Sequence, residues 1–267
     1  MNKNKYLMGS VILVVIGVVA AAGIGYWVLG PTKPASGPLQ AIPLDLTPVA
    51  PAATSTPSQP ASTPAAASTA AATAAPAPTS APPAPASGVV VLEISQAESQ
   101  ASFTISEVLR GSPKEVLGTT DQVAGQIAVN ATDLAASRVG TIQVNARTLV
   151  TDEEGRNRAI RNRILNTDTY EFVTFAPTQI TGLSGSGALN QPFTFRITGD
   201  LTIRDVTKSV TFDVTVLAES AERLTGTATA TINRADYGLV IPSVPFVANV
   251  GEQVTLTLTF VATPAGT

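Results

Sequence analysis

The stretch 192–216, PFTFRITGDLTIRDVTKSVTFDVTV, decides the fold of this chain. Apolar residues occupy every second position in each half of it, first at Phe193, Phe195 and Ile197, then at Val210, Phe212, Val214 and Val216. A period of two places one set of side chains on each face of a sheet. The stretch therefore predicts two β-strands, with Gly199-Asp200 and Arg204-Asp205 as bend and turn residues. A lone hairpin is marginal in water, so further strands must cover its apolar face.

Runs of alternating or β-branched residues elsewhere supply those strands. They are predicted at residues 89–94, 102–108, 123–129, 139–146, 172–177, 224–232 and 253–261. Between the second and third of them, Gly111-Ser112-Pro113 and Gly118 are interpreted as breaks in the path. Eight or nine short strands predict an all-β fold, either an antiparallel barrel or a sandwich.

Residues 152–165, DEEGRNRAIRNRIL, differ from the rest because they show no alternation. Ile160, Ile164 and Leu165 can share one side of a short helix. Thr151 or Asp152 is the expected N-cap. It is the one helix that the sequence predicts within the β-strand region.

The predicted strand 224–232, LTGTATATI, carries small residues on one face and threonines on the other. The small face consists of Gly226, Ala228, Ala230 and Ile232. Such a face leaves space beside it, or it lies at a crowded corner of a barrel where larger side chains would clash. An eight-stranded barrel is just wide enough to be filled by side chains or to hold one small ligand.

Composition excludes several functions. The chain of 267 residues has no His and no Cys, so it has no imidazole acid or base, no His-ligated metal and no disulfide. Its net charge is −3 and only 13% of its residues are charged, which argues against a nucleic-acid partner. No cofactor or metal is expected.

The N-terminus predicts a membrane anchor. Residues 6–29, YLMGSVILVVIGVVAAAGIGYWVL, carry no charge and are long enough to span a bilayer as a helix. Lys3 and Lys5 precede this run and predict a cytoplasmic N-terminus. Residues 1–29 are thus expected to be a single-pass anchor with the β-domain on the extracytoplasmic side. The alternative is a signal peptide cleaved near Ala20-Ala21-Ala22.

Residues 30–88 are rich in Pro, Ala, Ser and Thr and lack apolar periodicity. That composition predicts a disordered linker, biased toward polyproline II by its prolines. An O-glycosylated stalk is the alternative interpretation of the same residues. The β-domain is then residues 89–267.

Three stretches also resemble a known family. They are residues 161–165 (RNRIL) with 168–175 (DTYEFVTF), residues 198–203 (TGDLTI) with 206–211 (VTKSVT), and residues 232–239 (INRADYGL). In this order and at this spacing they are similar to the YceI-like family across roughly residues 91–261. Two positions depart from the family pattern: Glu171 stands where the family has Pro, and Arg204-Asp205 stands where members often have His-Gly.

The resemblance implies an extended, eight-stranded, lipocalin-like antiparallel barrel that holds a long isoprenoid or fatty-acyl chain. On that basis a set of residues is expected to line the interior: Phe103, Ile105, Phe175, Phe195, Phe212, Val214, Ala228 and Ala230. Arg161, Asn233 and Arg234 are the candidates for contact with a ligand head group. Each has an ordinary alternative, because Arg161 can belong to a solvated helix face, and Asn233 and Arg234 can tie a strand end to a loop.

The predicted function is a membrane-tethered, extracytoplasmic lipid-binding module whose partners are an apolar chain and the membrane. The sequence indicates no particular protein partner. A structural or adhesive domain on a stalk, with a filled core and no ligand, is the alternative. Enzyme activity is not predicted, because the carboxylates nearest the motifs (Asp200, Asp205 and Asp236) have no spacing that defines an active site.

Overall fold

The computed structural model describes residues 33–44 and 88–265. The chain divides into two units, residues 1–44 with 88–267 and residues 45–87. The predicted anchor, residues 1–29, lies outside the described residues, as does most of the predicted linker. Within the described ranges, no helix is both long enough and apolar enough to cross a bilayer.

Residues 88–265 form thirteen antiparallel strands. They are β1 (Val89–Ile94), β2 (Gln100–Leu109), β3 (Ser112–Thr120), β4 (Val123–Ala124), β5 (Gln126–Asn130), β6 (Arg138–Val139), β7 (Ile142–Asn145), β8 (Phe172–Thr181), β9 (Pro192–Ile203), β10 (Val206–Ser220), β11 (Arg223–Asn233), β12 (Val247–Ala248) and β13 (Gln253–Pro264). Several of them continue one another along a bent path, namely β1 with β2, β3 with β4 and β5, and β6 with β7.

These strands pair into one strongly curled sheet. The β1–β2 path pairs with the β3–β4–β5 path, which pairs with β6–β7. Pairing then proceeds through β8, β9, β10, β11 and β13. Because β13 pairs with both β1 and β2, the ladder returns to its first path and eight paths enclose an interior. The predicted all-β antiparallel class is confirmed.

The curled sheet has two ends, which differ in what lies over them. The helix-side mouth is formed by the β2–β3 turn, the long connection 146–171, the β9–β10 turn and the loop 234–252. The opposite mouth is formed by residues 131–137, 182–191 and 221–222.

The central hairpin forms as predicted, with β9 and β10 joined at Arg204-Asp205. Phe195, Ile197 and Leu201 of β9 are buried, and the alternation runs through the whole strand. The prediction of a bend at Gly199-Asp200 is wrong, because Gly199 pairs with Val210 inside the ladder. A Cβ at Gly199 would lie 2.7 Å from the Phe175 ring, so the glycine makes room for that aromatic side chain.

Strand β3 lies where the sequence analysis placed breaks. Residues 112–120 pair along their whole length with β2, and Pro113 pairs at the hairpin end opposite Val108. Gly118 lies opposite Phe103, and a Cβ at Gly118 would come within 2.2 Å of that ring. The glycine is therefore a site of close packing inside a strand.

The predicted helix is confirmed in type and place. It consists of α1 (Glu154–Ala159), continued by a π turn over Ile160–Ile164. The expected cap, Thr151 or Asp152, is wrong, because the side chain of the next residue, Glu153, accepts the hydrogen bonds from the Gly155 and Arg156 amides. Ile160 is buried, so the helix presents this side to the interior of the domain.

Residues 33–44, here called the strap, lie along the outside of the curled sheet. The Leu39 carbonyl accepts a hydrogen bond from Gln96, the Leu44 amide donates to Gln126, and the Leu44 side chain lies against Gly140. These three partners stand where β1–β2, β4–β5 and β6–β7 are interrupted. The strap was predicted as part of a disordered linker, but its backbone is held by side chains of the β-domain.

Glu171 anchors the start of the strap. It accepts hydrogen bonds from the Ser36 amide at 2.6 Å and the Ser36 hydroxyl at 2.8 Å, and it pairs with Arg147 at 3.0 Å. Burial alone raises the pKa of Glu171, but the hydrogen bonds from Ser36 and Asn145 and the charge of Arg147 together lower that pKa below its ordinary value. The departure from the family motif at this position thus has a structural role.

Glu171→Gln is expected to lower the thermal midpoint at pH 7. A folded-state pKa below the unfolded value of about 4.3 gives stability that is present above that pH and lost as pH falls through the folded pKa. The difference between parent and variant should therefore shrink in acid. Thermal unfolding at a series of pH values measures it, with Glu222→Gln in the exposed β10–β11 turn as the control. A difference that is independent of pH would contradict the assignment.

Candidate functional site

A cavity of about 1490 Å³ lies inside the curled sheet. Its lining includes the inward residues of every long strand together with residues of both mouths. The aliphatic part of the lining comes from around the whole ring: Leu92, Ile94, Ile105, Val116, Ile127, Ile142, Val173, Ile180, Leu201, Ile203, Val214, Val216, Ile232, Val254, Leu256 and Leu258. Because successive residues of a strand alternate between faces, the same pattern that predicts the strands builds an apolar interior.

The aromatic side chains of this interior differ in how deeply they are buried. Phe175 and Phe212 pack edge to face, with ring centroids 4.9 Å apart. Phe195 and Phe260 are almost completely buried, whereas Phe103 and Phe212 keep part of their surface open. The rings therefore form parts of the cavity wall and do not fill the centre.

Seven of the eight residues predicted to face the interior line the cavity. They are Phe103, Ile105, Phe175, Phe195, Phe212, Val214 and Ala228. Ala230 is not part of the lining, although it is 6% exposed and lies on the same face of β11. Whether these residues contact a ligand stays a prediction.

Both interpretations of the small residues of β11, close packing and open space, apply, but at different positions. A Cβ at Gly226 would lie 2.7 Å from the ring of Phe260, which is its partner on β13. The space beside Gly226 is thus already filled. Two residues further along, Ala228 faces the cavity, and the absence of bulk there leaves open space.

The three residues predicted to contact a ligand head group do not form one site, and each has a different partner. Arg161 is outside the cavity lining and pairs with Glu154 at 3.1 Å. Asn233 accepts a hydrogen bond from the Ala235 amide and so ends β11 in a short turn. Arg234 does line the cavity, but it donates to the carbonyls of Gly251 and Leu239.

One buried ion pair in the wall was missed by the sequence analysis. Glu107 continues the inward series of β2 and is 7% exposed, and Arg156 of α1 donates to it at 2.8 Å. Arg156 also pairs with Asp152, which in turn accepts from Lys114. The hydrogen bond from Lys114 and the charge of Arg156 lower the pKa of Asp152. All four side chains lie at the helix-side mouth and line the cavity there.

A signal for this pair exists in the sequence. Phe103, Ile105, Glu107 and Leu109 share one face of a strand, so a carboxylate at the third position requires a partner when that face is buried.

Tyr237 lies at the same end of the domain and is 2% exposed. Burial, with a smaller contribution from Asp236, raises the pKa of Tyr237 to about 12, so its phenol stays neutral.

The site has few groups suited to chemistry. Within residues 33–44 and 88–265, no cluster of three or more acidic side chains is arranged to hold a metal ion. Asp200 lies in β9, Asp205 lies in the β9–β10 turn, and Asp236 lies in the short turn after β11. Among the charged side chains that line the cavity, Glu107, Arg156, Asp152 and Lys114 are paired with one another, and Arg234 donates to backbone carbonyls.

An antiparallel sheet curled around a large apolar cavity is the architecture of the β-barrels that have room for one small ligand. The YceI-like domain model matches residues 92–262, so the chain belongs to the YceI-like family, and the resemblance predicted from the sequence is confirmed. A search of curated proteins finds no match to the chain.

Two solved structures share this fold. The first is a polyisoprenoid-binding domain from Saccharophagus degradans implicated in plant cell wall breakdown, with 14% identity and a TM-score of 0.51 over 66% of this chain and 99% of that one. The second is BcnA from Burkholderia cenocepacia, with 21% identity and a TM-score of 0.50 over 64% of this chain and 99% of that one. At such identities the likeness extends to the fold alone.

Ala228→Phe and Ala230→Phe are expected to differ in stability, although they add the same ring to the same face of β11. At Ala230 the ring enters packed surroundings and should cost about 1–3 kcal/mol of unfolding free energy. At Ala228 it enters the cavity and should leave the thermal midpoint near that of the parent. Thermal unfolding of the two variants measures this, and equal losses would contradict an open interior.

Glu107→Ala is expected to destabilise the domain by about 1.5–3 kcal/mol, because a charged hydrogen bond is lost in a buried place. Glu115→Ala, an exposed glutamate on the neighbouring strand β3, is the matched control and should change little. Chemical denaturation of both variants gives the comparison. The structural role assigned to the pair would be wrong if the two losses were equal.

Proposed function

We propose that this chain is a membrane-tethered lipid-binding module whose barrel, lipocalin-like in form, holds a long isoprenoid or fatty-acyl chain. The observation that carries the proposal is the unfilled interior. A cavity of about 1490 Å³ exceeds the roughly 300–1,000 Å³ of ordinary ligand pockets. Membership of the YceI-like family and the polyisoprenoid-binding fold neighbour support the same ligand class.

The chemistry of the wall favours an apolar chain as the ligand. The aliphatic and aromatic residues around the ring offer dispersion contacts and no hydrogen-bond partners, so recognition depends on the burial of methylene groups. Each buried methylene contributes about 0.8 kcal/mol. The charged side chains of the lining sit at its mouths, where a polar end of the ligand would lie in water.

The proposed location is the outer side of a membrane, with residues 1–29 as the anchor. The uncharged run 6–29 and the lysines that precede it support this orientation. Residues 45–87 are proposed as a Pro- and Ala-rich tether. A binding role requires no catalytic group, and we propose no enzymatic activity. The alternative of a filled structural domain is disfavoured by the size of the cavity.

A chain-length series tests the proposal. Delipidated protein is titrated with farnesol, geranylgeraniol and solanesol, and separately with stearic acid, by isothermal calorimetry. Affinity is expected to rise with length while added methylenes are still buried, with the negative heat-capacity change of apolar burial. The isoprenoid and acyl series distinguish the two ligand classes.

Ala228→Phe is the control variant for the titration, because its ring is expected to occupy cavity volume without unfolding the domain. It should weaken binding of the longest alcohol most. Absence of binding by the folded parent for every chain tested would contradict the proposed function.

A further inference from the structure

Exposed apolar side chains gather on one loop at the helix-side mouth. Val240 and Phe246 are each 73% exposed, and Val244 between them is 44% exposed. Val244 and Phe246 also line the cavity, as do their loop neighbours Ile241 and Pro242. The loop 238–250, here called the port loop, therefore presents apolar surface both to the cavity and to the outside. Exposed apolar surface of this kind marks an interaction site.

The port loop is held in place, and its outward aromatic residue is strained. Val247 pairs with Leu109 of β2, and the Arg110 amide donates to the Phe246 carbonyl at 2.7 Å. The backbone of Phe246 has φ of 68°, a conformation that bulky side chains rarely adopt. Such strain persists only where the surrounding contacts impose it, and it is typical of functional positions. Here those contacts hold Phe246 at the rim of the cavity with most of its surface exposed.

The strap ties the same mouth to the N-terminal apolar run. The Lys33 amide donates to Asp168 at 3.0 Å, and the Lys33 ammonium reaches the Asp168 carbonyl. Asp168 belongs to the connection 146–171 of the helix-side mouth. Lys33 lies four positions after Leu29, the end of the uncharged run, and four residue steps span at most about 14 Å. A membrane anchor at residues 1–29 would thus bring this mouth close to the bilayer surface.

We propose that the helix-side mouth meets the surface of a lipid bilayer, with the port loop as the contact through which the apolar chain passes between bilayer and cavity. This inference rests on the proposed lipid-binding function and on the proposed anchor. Val240, Val244 and Phe246 enter the head-group region, as aromatic and aliphatic residues of peripheral membrane sites do. Arg110 lies 6.0 Å from the centre of the Phe246 ring, and Lys33 is exposed at the same end, so both can meet anionic head groups.

The opposite mouth offers a matched control. Leu189 there is 57% exposed and also lines the cavity, and the β10–β11 hairpin beside it carries Glu222 and the ion pair of Glu219 with Arg223. Leu189 therefore resembles Phe246 in exposure and in contact with the cavity, and differs from it in the end of the domain at which it lies.

Fluorescence quenching by brominated lipids tests the orientation without any ligand. Trp27, the one tryptophan of the chain, is replaced by Phe, and Phe246→Trp or Leu189→Trp is introduced into the full-length protein. Each protein is reconstituted in phosphatidylcholine–phosphatidylglycerol vesicles. The proposal expects quenching and a blue shift for the Phe246→Trp protein and neither for the Leu189→Trp protein. Quenching of neither, of both equally, or of the Leu189→Trp protein alone would overturn it.

The rate of uptake tests the passage itself. Phe246→Asp is expected to slow transfer of solanesol from vesicles by roughly tenfold or more, because a charge is added to an apolar path. Leu117→Asp, at a leucine of β3 that is 54% exposed and lies outside the cavity lining, should leave the rate unchanged. Each variant's binding of solanesol from detergent is measured as well, and in Phe246→Asp the rate should fall by a larger factor than the affinity. Equal rates in both variants would overturn the assigned port. Loss of binding by the parent would instead contradict the proposed function, so the two failures are distinguishable.

Discussion

Closure of the hydrogen-bond ladder is the constraint on which the rest of the structure depends. Once β13 pairs with the β1–β2 path, the ladder is continuous around the interior, and every second residue of each long strand points inward. The width of the interior is then set by the number of strands and their tilt more than by the side chains within it. Where inward residues are small, as at Ala228, space is left over.

Three glycines that interrupt the strand patterns of the sequence are required by the packing of the barrel wall. Gly118 and Gly199 each lie inside a strand against a phenylalanine ring, and Gly226 does the same against Phe260. Three glycines thus let three rings lie flat against the wall. If those rings projected into the centre, less of the interior would be open.

The sequence predicts the strands well because a period of two is a local signal, readable within a few residues of β9 or β10. It misplaces β3 and the bend at Gly199, since the ring that makes each glycine necessary lies on the preceding strand, outside the few residues that a local pattern covers. The strap has no such local signal either. Its composition predicts disorder, and its contacts are to Gln96, Gln126 and Glu171, which no pattern within the linker indicates.

In the candidate site, too, some features can be predicted from the sequence and others cannot. Inward apolar positions follow from alternation, so most of the predicted lining is found in the cavity wall. Ion pairs between elements, such as Glu107 with Arg156, depend on how the helix packs over one mouth and cannot be read from spacing alone. The difference between the two mouths has the same origin, because the strap, α1 and the port loop meet only in the folded domain.

Occupancy of the cavity is the central claim, and organic extraction of the purified full-length protein followed by mass spectrometry tests it most directly. The account predicts about one long apolar chain for each protein molecule, as expected of one cavity of this size. Less of the same chain is expected from the Ala228→Phe variant, which should stay folded. A folded parent protein that yields no apolar molecule, purified from cells without detergent exchange, would contradict it.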